Sequence, residues 1–150
     1  SKPLMMSTSQ PIVRRATAEE VWPLRHAVLR SGLSFDTVKF DGDLDDTTRH
    51  FGTFAGRNVL CCLSLFHSTW NDSDAWQLRG MATAATHQRQ GFGQLLLMFA
   101  INAASQEKPS WPFWCNARTT AIGFYEQAGW STATDVFDIP TAGPHVKMYF

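Results

Sequence analysis

The sequence predicts a mixed α/β domain. With 150 residues, the chain is long enough to bury one hydrophobic core. Its 44% of hydrophobic and 17% of charged residues are typical of a globular protein rather than a disordered one. Strand-like segments alternate with segments of helical spacing, and no internal repeat divides them. We therefore expect one domain over residues 11–150, preceded by a flexible segment over residues 1–10.

The first part of the chain predicts a strand, a helix and a loop. "PIVRRA", from Pro11, has the composition of a short strand. Thr17 and Glu20 then have capping-box spacing, which marks the start of a helix. Pro23 lies too deep for the first helical turn, so we expect a kink or a new start there. Residues 41–50 are acidic and rich in turn formers, which predicts a loop.

The middle of the chain predicts three strands and a long helix. "HFGTFA" and "VLCCLSLFHST" flank the turn "GRN" and predict a hairpin. "AWQLRGMAT" predicts another strand after the turn "WNDSD". Residues 91–106 then predict a helix. Because its segment "LLLMFAINAA" is apolar nearly all round, we expect this helix to be buried on more than one side.

The last part of the chain predicts a strand, a helix and two closing strands. "FWCNAR" has the composition of a short strand. "TTAIGFYEQAG" predicts a helix with a threonine cap and with Gly129 in the left-handed conformation after its end. "WSTATDVFDI" and "HVKMYF" predict strands around the turn "PTAG".

Composition argues against several classes of partner. The 13 basic and 13 acidic residues balance, so the chain lacks the basic excess typical of nucleic-acid binding. No run approaches the roughly 18 apolar residues of a membrane span, and the start lacks the apolar core of a signal peptide. Cys61, Cys62 and Cys115 have no framework spacing and predict buried thiols, and the histidines have no metal-ligand spacing. We expect a soluble, cytoplasmic protein without a bound metal.

A glycine-containing turn before the long helix is the first candidate functional feature. A P-loop would require lysine after its last glycine, but Gln94 follows Gly93. A dinucleotide fingerprint would require a third glycine where Leu96 stands. The pattern Q/R-x-x-G-x-G/A fits Gln88–Gly93, although an ordinary loop-to-helix turn would produce the same letters.

Such a turn can bind a phosphate through its backbone. The first N–H groups of a helix have no internal partners, and the helix dipole makes that end positive. Glycine lets a pyrophosphate approach these donors, and Arg89 is the cation of the turn, with the Gln88 and Gln90 amides assisting. The residues expected to contact the phosphates are Gln88, Arg89, Gln90, Gly91, Phe92, Gly93 and Gln94.

A second motif makes the pattern specific. "AIGFYEQAGW", Ala121 to Trp130, follows the glycine turn about thirty residues later. The two motifs, in this order and at this separation, resemble those of the GNAT family of acetyl-CoA-dependent N-acyltransferases. The resemblance is good from about Trp76 to Trp130 and extends to the rest of the chain in layout only.

The resemblance implies a cofactor and its position. The central sheet would be mostly antiparallel and flanked by helices. It would splay between its fourth and fifth strands, and the pantetheine arm of acetyl-CoA would lie in the opening. Backbone groups of Met81 and Thr83 would bind the arm, and an N–H group near Met81 or Ala82 would polarise the thioester carbonyl. Asn116 could contact the arm from the facing strand. The family often has asparagine where this chain has Arg118.

The resemblance also implies the chemistry. Tyr125 matches the family's general acid, which protonates the departing thiolate. Tyr125 as a packed core aromatic is the alternative, but the chain has only two tyrosines against eleven phenylalanines. The fourth strand holds no carboxylate to act as base. His145 is the best titratable candidate, while a structural histidine and a relay through ordered water stay open.

The acceptor would be a primary amine of a small molecule or peptide. Arg25 and His26, with Arg30, lie on the first helix, which often borders the acceptor pocket in this family, or they form a solvated basic face. The acidic loop could attract a cationic amine. We expect an N-acetyltransferase, with a non-catalytic acyl-CoA-binding regulatory module as the alternative. By analogy, "HVKMYF" is a candidate homodimer interface.

Overall fold

The computed structural model describes residues 10–150. The predicted flexible segment over residues 1–10 lies, apart from Gln10, outside the described residues. Within them, the helices and strands follow the order β1 (Ile12–Ala16), α1 (Ala18–Leu29), β2 (Arg49–Ala55), β3 (Asn58–Trp70), β4 (Ser73–Thr83), α2 (Phe92–Glu107), β5 (Phe113–Arg118), α3 (Ile122–Gln127), β6 (Ser131–Thr132), β7 (Phe137–Ile139) and β8 (Gly143–Tyr149).

The strands form one sheet in the order β1-β2-β3-β4-β5-β8-β6, with β7 also paired to β8. All pairings are antiparallel except that between β4 and β5. These two strands pair only where residues 76–78 lie beside residues 113–115. No register pairs join the two strands beyond this point, which shows that their facing edges separate there. The predicted mixed α/β fold, with a mostly antiparallel sheet that opens between its fourth and fifth strands, is confirmed.

A β-bulge lies in β4 beside the opening. Cys62 faces Ala82 and Ser64 faces Arg79, so Gly80 and Met81 together stand opposite a single residue of β3. Gly80 has a φ of +67°, and a Cβ atom there would lie 2.7 Å from the Nε atom of buried Arg25. Glycine is therefore required both for the backbone conformation and for the close approach of Arg25.

The predicted capping box at the start of α1 is confirmed. The Thr17 hydroxyl accepts the Glu20 N–H at 3.2 Å, and the Glu20 carboxylate accepts the Thr17 N–H at 2.9 Å. The helix continues through Pro23, so the expected new start is not observed. Proline removes the donor for the Glu19 carbonyl, but both residues are exposed, so water can satisfy that carbonyl.

The helix α2 is buried on one side only, so the prediction of burial on several sides was wrong. Leu96, Leu97 and neighbouring apolar residues pack against the sheet and are buried. On the opposite face, the side chains of Leu95, Met98 and Phe99 are 58%, 60% and 39% exposed. Within residues 10–150 the helix packs on the sheet, its first turn also contacts Phe124, and no layer covers its outer face.

The segment around α3 differs from prediction at its start and agrees at its end. A 3₁₀ turn over Thr119–Ala121 leads directly into the helix, and no side chain caps it, so the predicted threonine cap is absent. Gly129 has the predicted left-handed conformation, with a φ of +93°. The Gly129 and Trp130 N–H groups bond back to Glu126 and Tyr125 carbonyls, a Schellman motif. This turn brings Trp130 against Tyr125, with ring centroids 5.2 Å apart.

The C-terminal strands leave no free edge on β8. "WSTATDVFDI" forms two short strands, β6 and β7, rather than one. Both pair with β8 on the side opposite β5, so the backbone of β8 has neighbours on both sides. Among the residues described, "HVKMYF" therefore has no open strand edge for a second subunit, and the homodimer stays a prediction.

The three cysteines are buried and free. Burial raises the pKa of Cys62 and of Cys115 to about 12, so both thiols stay protonated. In the described part of the chain, none of the helices combines the length and the apolar character that crossing a membrane needs.

Candidate active site

A cleft of about 310 Å³ occupies the opening between β4 and β5. The splayed strand ends and the start of α3 form its inner walls. The segment after α1 and the β7–β8 hairpin form its outer walls. The cleft therefore joins the fourth strand and the second motif with two segments to which sequence reasoning gave little weight.

Tyr125 lies at the inner wall of this cleft. The side chain is 6% exposed and packs against Phe124 and Trp130. Burial raises the pKa of Tyr125 well above its ordinary value of 10, and the neighbouring Cys115 thiol raises it further. The phenol thus stays protonated and can donate a hydrogen bond. Tyr125 packs in the core and also lines the cleft, so its packing does not separate it from the cavity, and its role as general acid stays a prediction.

His145 faces the same cleft from β8. Its Nδ1 atom lies 2.7 Å from the Gly143 carbonyl oxygen. A carbonyl oxygen only accepts hydrogen bonds, so Nδ1 carries the proton and Nε2 of the neutral ring has a free lone pair. In the β5–β8 register, His145 stands beside Arg118. In the neutral form of the ring, Nε2 is therefore the nitrogen that can accept a proton.

The glycine turn lies at the start of α2, as predicted. Gly91 is the N-cap residue with a φ of +86°, and no side chain bonds to the first N–H groups of the helix. A Cβ atom at Gly91 would meet nothing within 4 Å. The N–H groups of Phe92, Gly93 and Gln94 therefore face an open depression that is separate from the cleft in its lining residues.

Gly93 is required for packing. A Cβ atom there would lie 2.9 Å from the Phe124 ring, which is closer than real contacts allow. The glycine thus lets α2 pack against the segment that holds Tyr125. Of the two glycines that the motif contains, only Gly91 combines a left-handed backbone with open space in front of it.

The glutamine amides of the turn bond to the protein itself. Nε2 of Gln88 donates to the Thr83 carbonyl at 3.2 Å, and Nε2 of Gln94 donates to the Phe124 carbonyl at 2.8 Å. Gln90 likewise donates to a backbone carbonyl within the turn. These amides hold the turn in place, and their expected help in anion binding stays a prediction. Arg89 is exposed and has no ion pair among residues 10–150.

The strand residues expected to hold the pantetheine arm have different surroundings. Met81 lines the cleft, whereas Ala82 turns its side chain toward α1. The Thr83 carbonyl already accepts a hydrogen bond from Gln88, and the Thr83 hydroxyl lies 3.2 Å from the Cys61 sulfur. Across the opening, Oδ1 of Asn116 accepts from the Lys147 ammonium at 2.8 Å, and Asn116 lines the cleft.

The expectation that Arg25 contacts the acceptor needs correction. Its side chain is fully buried and lies beneath the cleft wall. The guanidinium binds both oxygens of Asp43, at 2.7 and 3.0 Å, and donates to the Val38 carbonyl and the Ser64 hydroxyl. A side chain with these partners and no exposure is a structural ion pair that cannot reach a substrate.

His26 also points away from the cleft. Its Nε2 atom lies 2.7 Å from the Leu33 carbonyl oxygen, and its ring packs against Phe35. Leu29, the last residue of α1, and Arg30, directly after it, are the residues of this segment that line the cleft. Arg25 instead bonds to Asp43 and Ser64, and His26 bonds to the loop that follows α1.

The acidic loop does not present Asp43 to a ligand. Burial opposes ionisation of this carboxyl, but hydrogen bonds from Arg25, Trp22 and the Phe40 N–H hold its pKa below the ordinary value of 3.8. The carboxylate is therefore charged, and both of its oxygens accept hydrogen bonds from groups inside the protein. Its bond to Phe40 positions that ring in the cleft wall.

Sequence reasoning missed two cleft residues, Phe40 and Arg79. The Arg79 guanidinium lies over the Phe40 ring at 4.4 Å and near the Phe66 ring at 5.5 Å. A signal was present, because "AWQLRGMAT" places a single charge in an otherwise uncharged strand beside a glycine. Among the described residues, no group of three or more histidine, cysteine or acidic side chains could hold a metal ion.

Comparison with known proteins identifies the family. Residues 66–140 match the acetyltransferase (GNAT) domain. An uncharacterized N-acetyltransferase of Bacillus subtilis (strain 168), YitI, is 30% identical over 140 residues, which cover 91% of this chain and 93% of that protein.

Solved structures have the same fold at low identity. An acyl-CoA N-acyltransferase from Pseudomonas aeruginosa superposes with a TM-score of 0.75 and 19% identity, covering 93% of this chain and 99% of that one. An aminoglycoside 6'-N-acetyltransferase complexed with coenzyme A superposes with a TM-score of 0.71 and 9% identity, covering 93% and 96%. With the domain match and the bacterial relative, the chain belongs to the GNAT family of acyl-CoA N-acyltransferases.

Proposed function

We propose that the protein transfers the acetyl group of acetyl-CoA to a primary amine by direct attack. The observation that carries the proposal is the cleft between β4 and β5, which holds a protonated phenol and a histidine oriented as acceptor in one cavity. The family uses acyl-CoA donors, and the uncapped start of α2 supplies free donors for phosphate groups.

The cofactor would bind along the opened strands. Its pyrophosphate would accept hydrogen bonds from the N–H groups of residues 92–94, with Arg89 adding a positive charge. The pantetheine arm would follow the unpaired edges beyond the last β4–β5 register pair, with Asn116 facing it. A backbone N–H near Met81 or Ala82, at the bulge, would polarise the thioester carbonyl.

The transfer then needs one proton acceptor and one proton donor. The neutral amine nitrogen attacks the thioester carbonyl carbon, a C–N bond forms, and the nitrogen gives up a proton. When the tetrahedral intermediate collapses, the C–S bond breaks and sulfur leaves as a thiolate. Tyr125 donates to that sulfur and solvent restores its proton, so the products are the N-acetylated amine and free CoA.

His145 is the residue that we propose as proton acceptor. Its Nδ1 proton is held by the Gly143 carbonyl, so Nε2 can take the proton that the attacking amine releases. His145 and Tyr125 line the same cleft from β8 and α3, so acceptor and donor would approach the reacting carbonyl from different elements. No carboxylate is needed on β4 for this arrangement.

The Gly91→Val variant tests the phosphate site. The added side chain strains the left-handed backbone and covers the free N–H groups, so we expect acetyl-CoA affinity to fall at least about tenfold. Isothermal titration calorimetry with acetyl-CoA and CoA measures it. Gly32→Val is a matched control, because Gly32 has a φ of +82° and, like Gly91, nothing within 4 Å of its Cβ position. Unchanged affinity in Gly91→Val, or an equal loss in both variants, would contradict the assignment.

The His145→Gln variant tests the base. We expect kcat to fall by about 100-fold at neutral pH, while acetyl-CoA affinity is retained. Thiol release with a panel of primary amines measures this. His67→Gln is the control and should behave as wild type, because His67 is exposed on β3 and does not line the cleft. Wild-type turnover in His145→Gln would favour transfer of the amine proton through ordered water. Acetyl-CoA binding without any amine-dependent thiol release would leave a non-catalytic binding module.

A further inference from the structure

Three arginines and no carboxylate line the cleft. Arg30 comes from the segment after α1, Arg79 from β4 and Arg118 from the end of β5. On this basis, we infer that the acceptor amine carries an anionic group, a carboxylate or a phosphate, which these guanidinium groups bind. The inference rests on the proposed function for its orientation, since it names the substrate class of that same cleft.

These arginines have donors left for a ligand. Within the described range, residues 10–150, Arg79 and Arg118 make no side-chain hydrogen bond and no ion pair, and Arg30 donates only to the Leu29 carbonyl at 3.3 Å. Arg25 lies near these arginines but is fully buried, and its guanidinium is already paired with the Asp43 carboxylate. A guanidinium has five donors in a planar fork that matches carboxylate and phosphate geometry.

The Phe40 ring holds the guanidinium groups of Arg79 and Arg30, together with that of buried Arg25. Phe40 lies 4.0 Å below the Arg25 guanidinium and 4.4 Å from that of Arg79, with Arg30 at 5.6 Å. The Phe40 N–H is itself bonded to Asp43. Arg79 is therefore positioned by stacking instead of by a carboxylate, which leaves its hydrogen-bonding edge free for an anion.

The positive charges of Arg30 and Arg79 have no carboxylate beside them in the lining of the cleft. Partial desolvation and the nearby Arg25 charge lower the pKa of Arg79 from its ordinary value, and Arg30 adds to the effect. The carboxylates that act on Arg79 in the opposite direction are Asp43, already paired inside the protein, and Asp41, which does not line the cleft. A polycationic acceptor would meet like charges here, whereas an anionic group would be attracted.

The arrangement also fits the direction of attack. Arg118 stands beside His145 in the β5–β8 register, so an anion held at Arg118 would bring a nearby amine toward Nε2 of His145. The amine and the anionic group would then be separated by only a few bonds, as in an amino acid or an amino-alkyl phosphate. Long, flexible polyamines do not have this pattern.

Matched probe pairs test the inference on the CoA-loaded full chain. One pair is β-alanine and β-alaninamide, which differ by the carboxylate charge. The other is O-phosphoethanolamine and ethanolamine, which test a phosphate, and spermidine serves as polycation. We expect the anionic member of at least one pair to bind at least about tenfold tighter, by calorimetry or chemical-shift titration. Added sodium chloride should reduce the preference.

Arginine variants locate the anion site. Arg79→Gln and Arg118→Gln should each reduce the preference for the anionic probe about tenfold, whereas Arg79→Lys should retain part of it. Arg118 is exposed without partners in the part of the chain described, so its replacement should not affect folding. Arg57→Gln, in the exposed β2–β3 turn, is the matched control and should keep the wild-type preference.

Each outcome decides the question. Equal binding within both pairs, including no binding of either member, overturns the inference, as does tighter binding of spermidine. A preference that survives in both glutamine variants overturns it too. Anionic preference in binding without amine-dependent thiol release would uphold the anion site and contradict the transferase, so the two failures are distinguishable.

Discussion

Replacement of Tyr125 by phenylalanine is expected to lower kcat by about 100-fold or more while acetyl-CoA affinity stays at the wild-type level. Phenylalanine keeps the packing against Phe124 and Trp130, so the change removes the hydroxyl and little else. The departing thiolate then lacks its donor. Steady-state thiol release with the best acceptor, together with calorimetry of acetyl-CoA binding, separates the loss of turnover from loss of affinity.

The pH dependence sharpens this prediction. A general acid must be protonated, and the raised pKa of Tyr125 keeps it so well above pH 10. We therefore expect no loss of wild-type activity near pH 10 from this group. Tyr149→Phe is the control, because Tyr149 is the other tyrosine of the chain and is 41% exposed at the end of β8. Full turnover in Tyr125→Phe would assign Tyr125 to packing alone.

Replacement of Asp43 by alanine is expected to lower the free energy of unfolding by about 3–5 kcal/mol. The variant leaves the fully buried Arg25 guanidinium without its counter-ion. It also removes acceptors for the Trp22 indole and the Phe40 N–H. Thermal unfolding should show a fall in Tm on the order of 10 °C. Asp45→Ala is the control, since Asp45 is exposed in the same loop and makes no ion pair among the described residues.

The contribution of Asp43 to stability has a defined pH window. Its pKa is lower in the folded protein than its ordinary value of 3.8. The unfolded chain therefore takes up the proton first, so the contribution is present above about pH 3.8 and is lost as the pH falls through the folded value. Wild-type stability should fall in this range more steeply than that of Asp43→Ala. A parallel pH dependence in both proteins would show that the carboxylate is not the stabilising group.

The local patterns of the sequence predicted most elements correctly. The capping box of Thr17 and Glu20, the hairpin turns and the left-handed Gly129 depend on a few neighbouring residues, so they are readable from the chain. The threonine cap before Tyr125 was wrong because a 3₁₀ turn replaces it, and that turn packs on the preceding strand β5 and on the C-terminal strand β8. The exposure of the outer face of α2 could likewise not be read from the sequence, because it depends on how many layers of structure pack around the helix.

The candidate site was predictable to the extent that motifs are local. Gly91 and Tyr125 were found because each belongs to a short pattern with a physical reason. Arg25 and His26 were chosen by their helix alone, and the fold buries one and turns the other away. Arg79 was overlooked because its role depends on the Phe40 ring from a loop about forty residues earlier.

By itself the sequence determined the order of elements, the glycine turn at the start of α2 and the tyrosine of the second motif, because these follow from backbone preferences and short-range spacing. Only the tertiary structure decided which arginines face the cleft and which proton His145 keeps. Both depend on contacts between distant segments: Asp43 draws Arg25 into the core, and the Gly143 carbonyl orients the His145 ring. Desolvation and hydrogen-bond geometry set those choices, and neither is visible in a linear pattern.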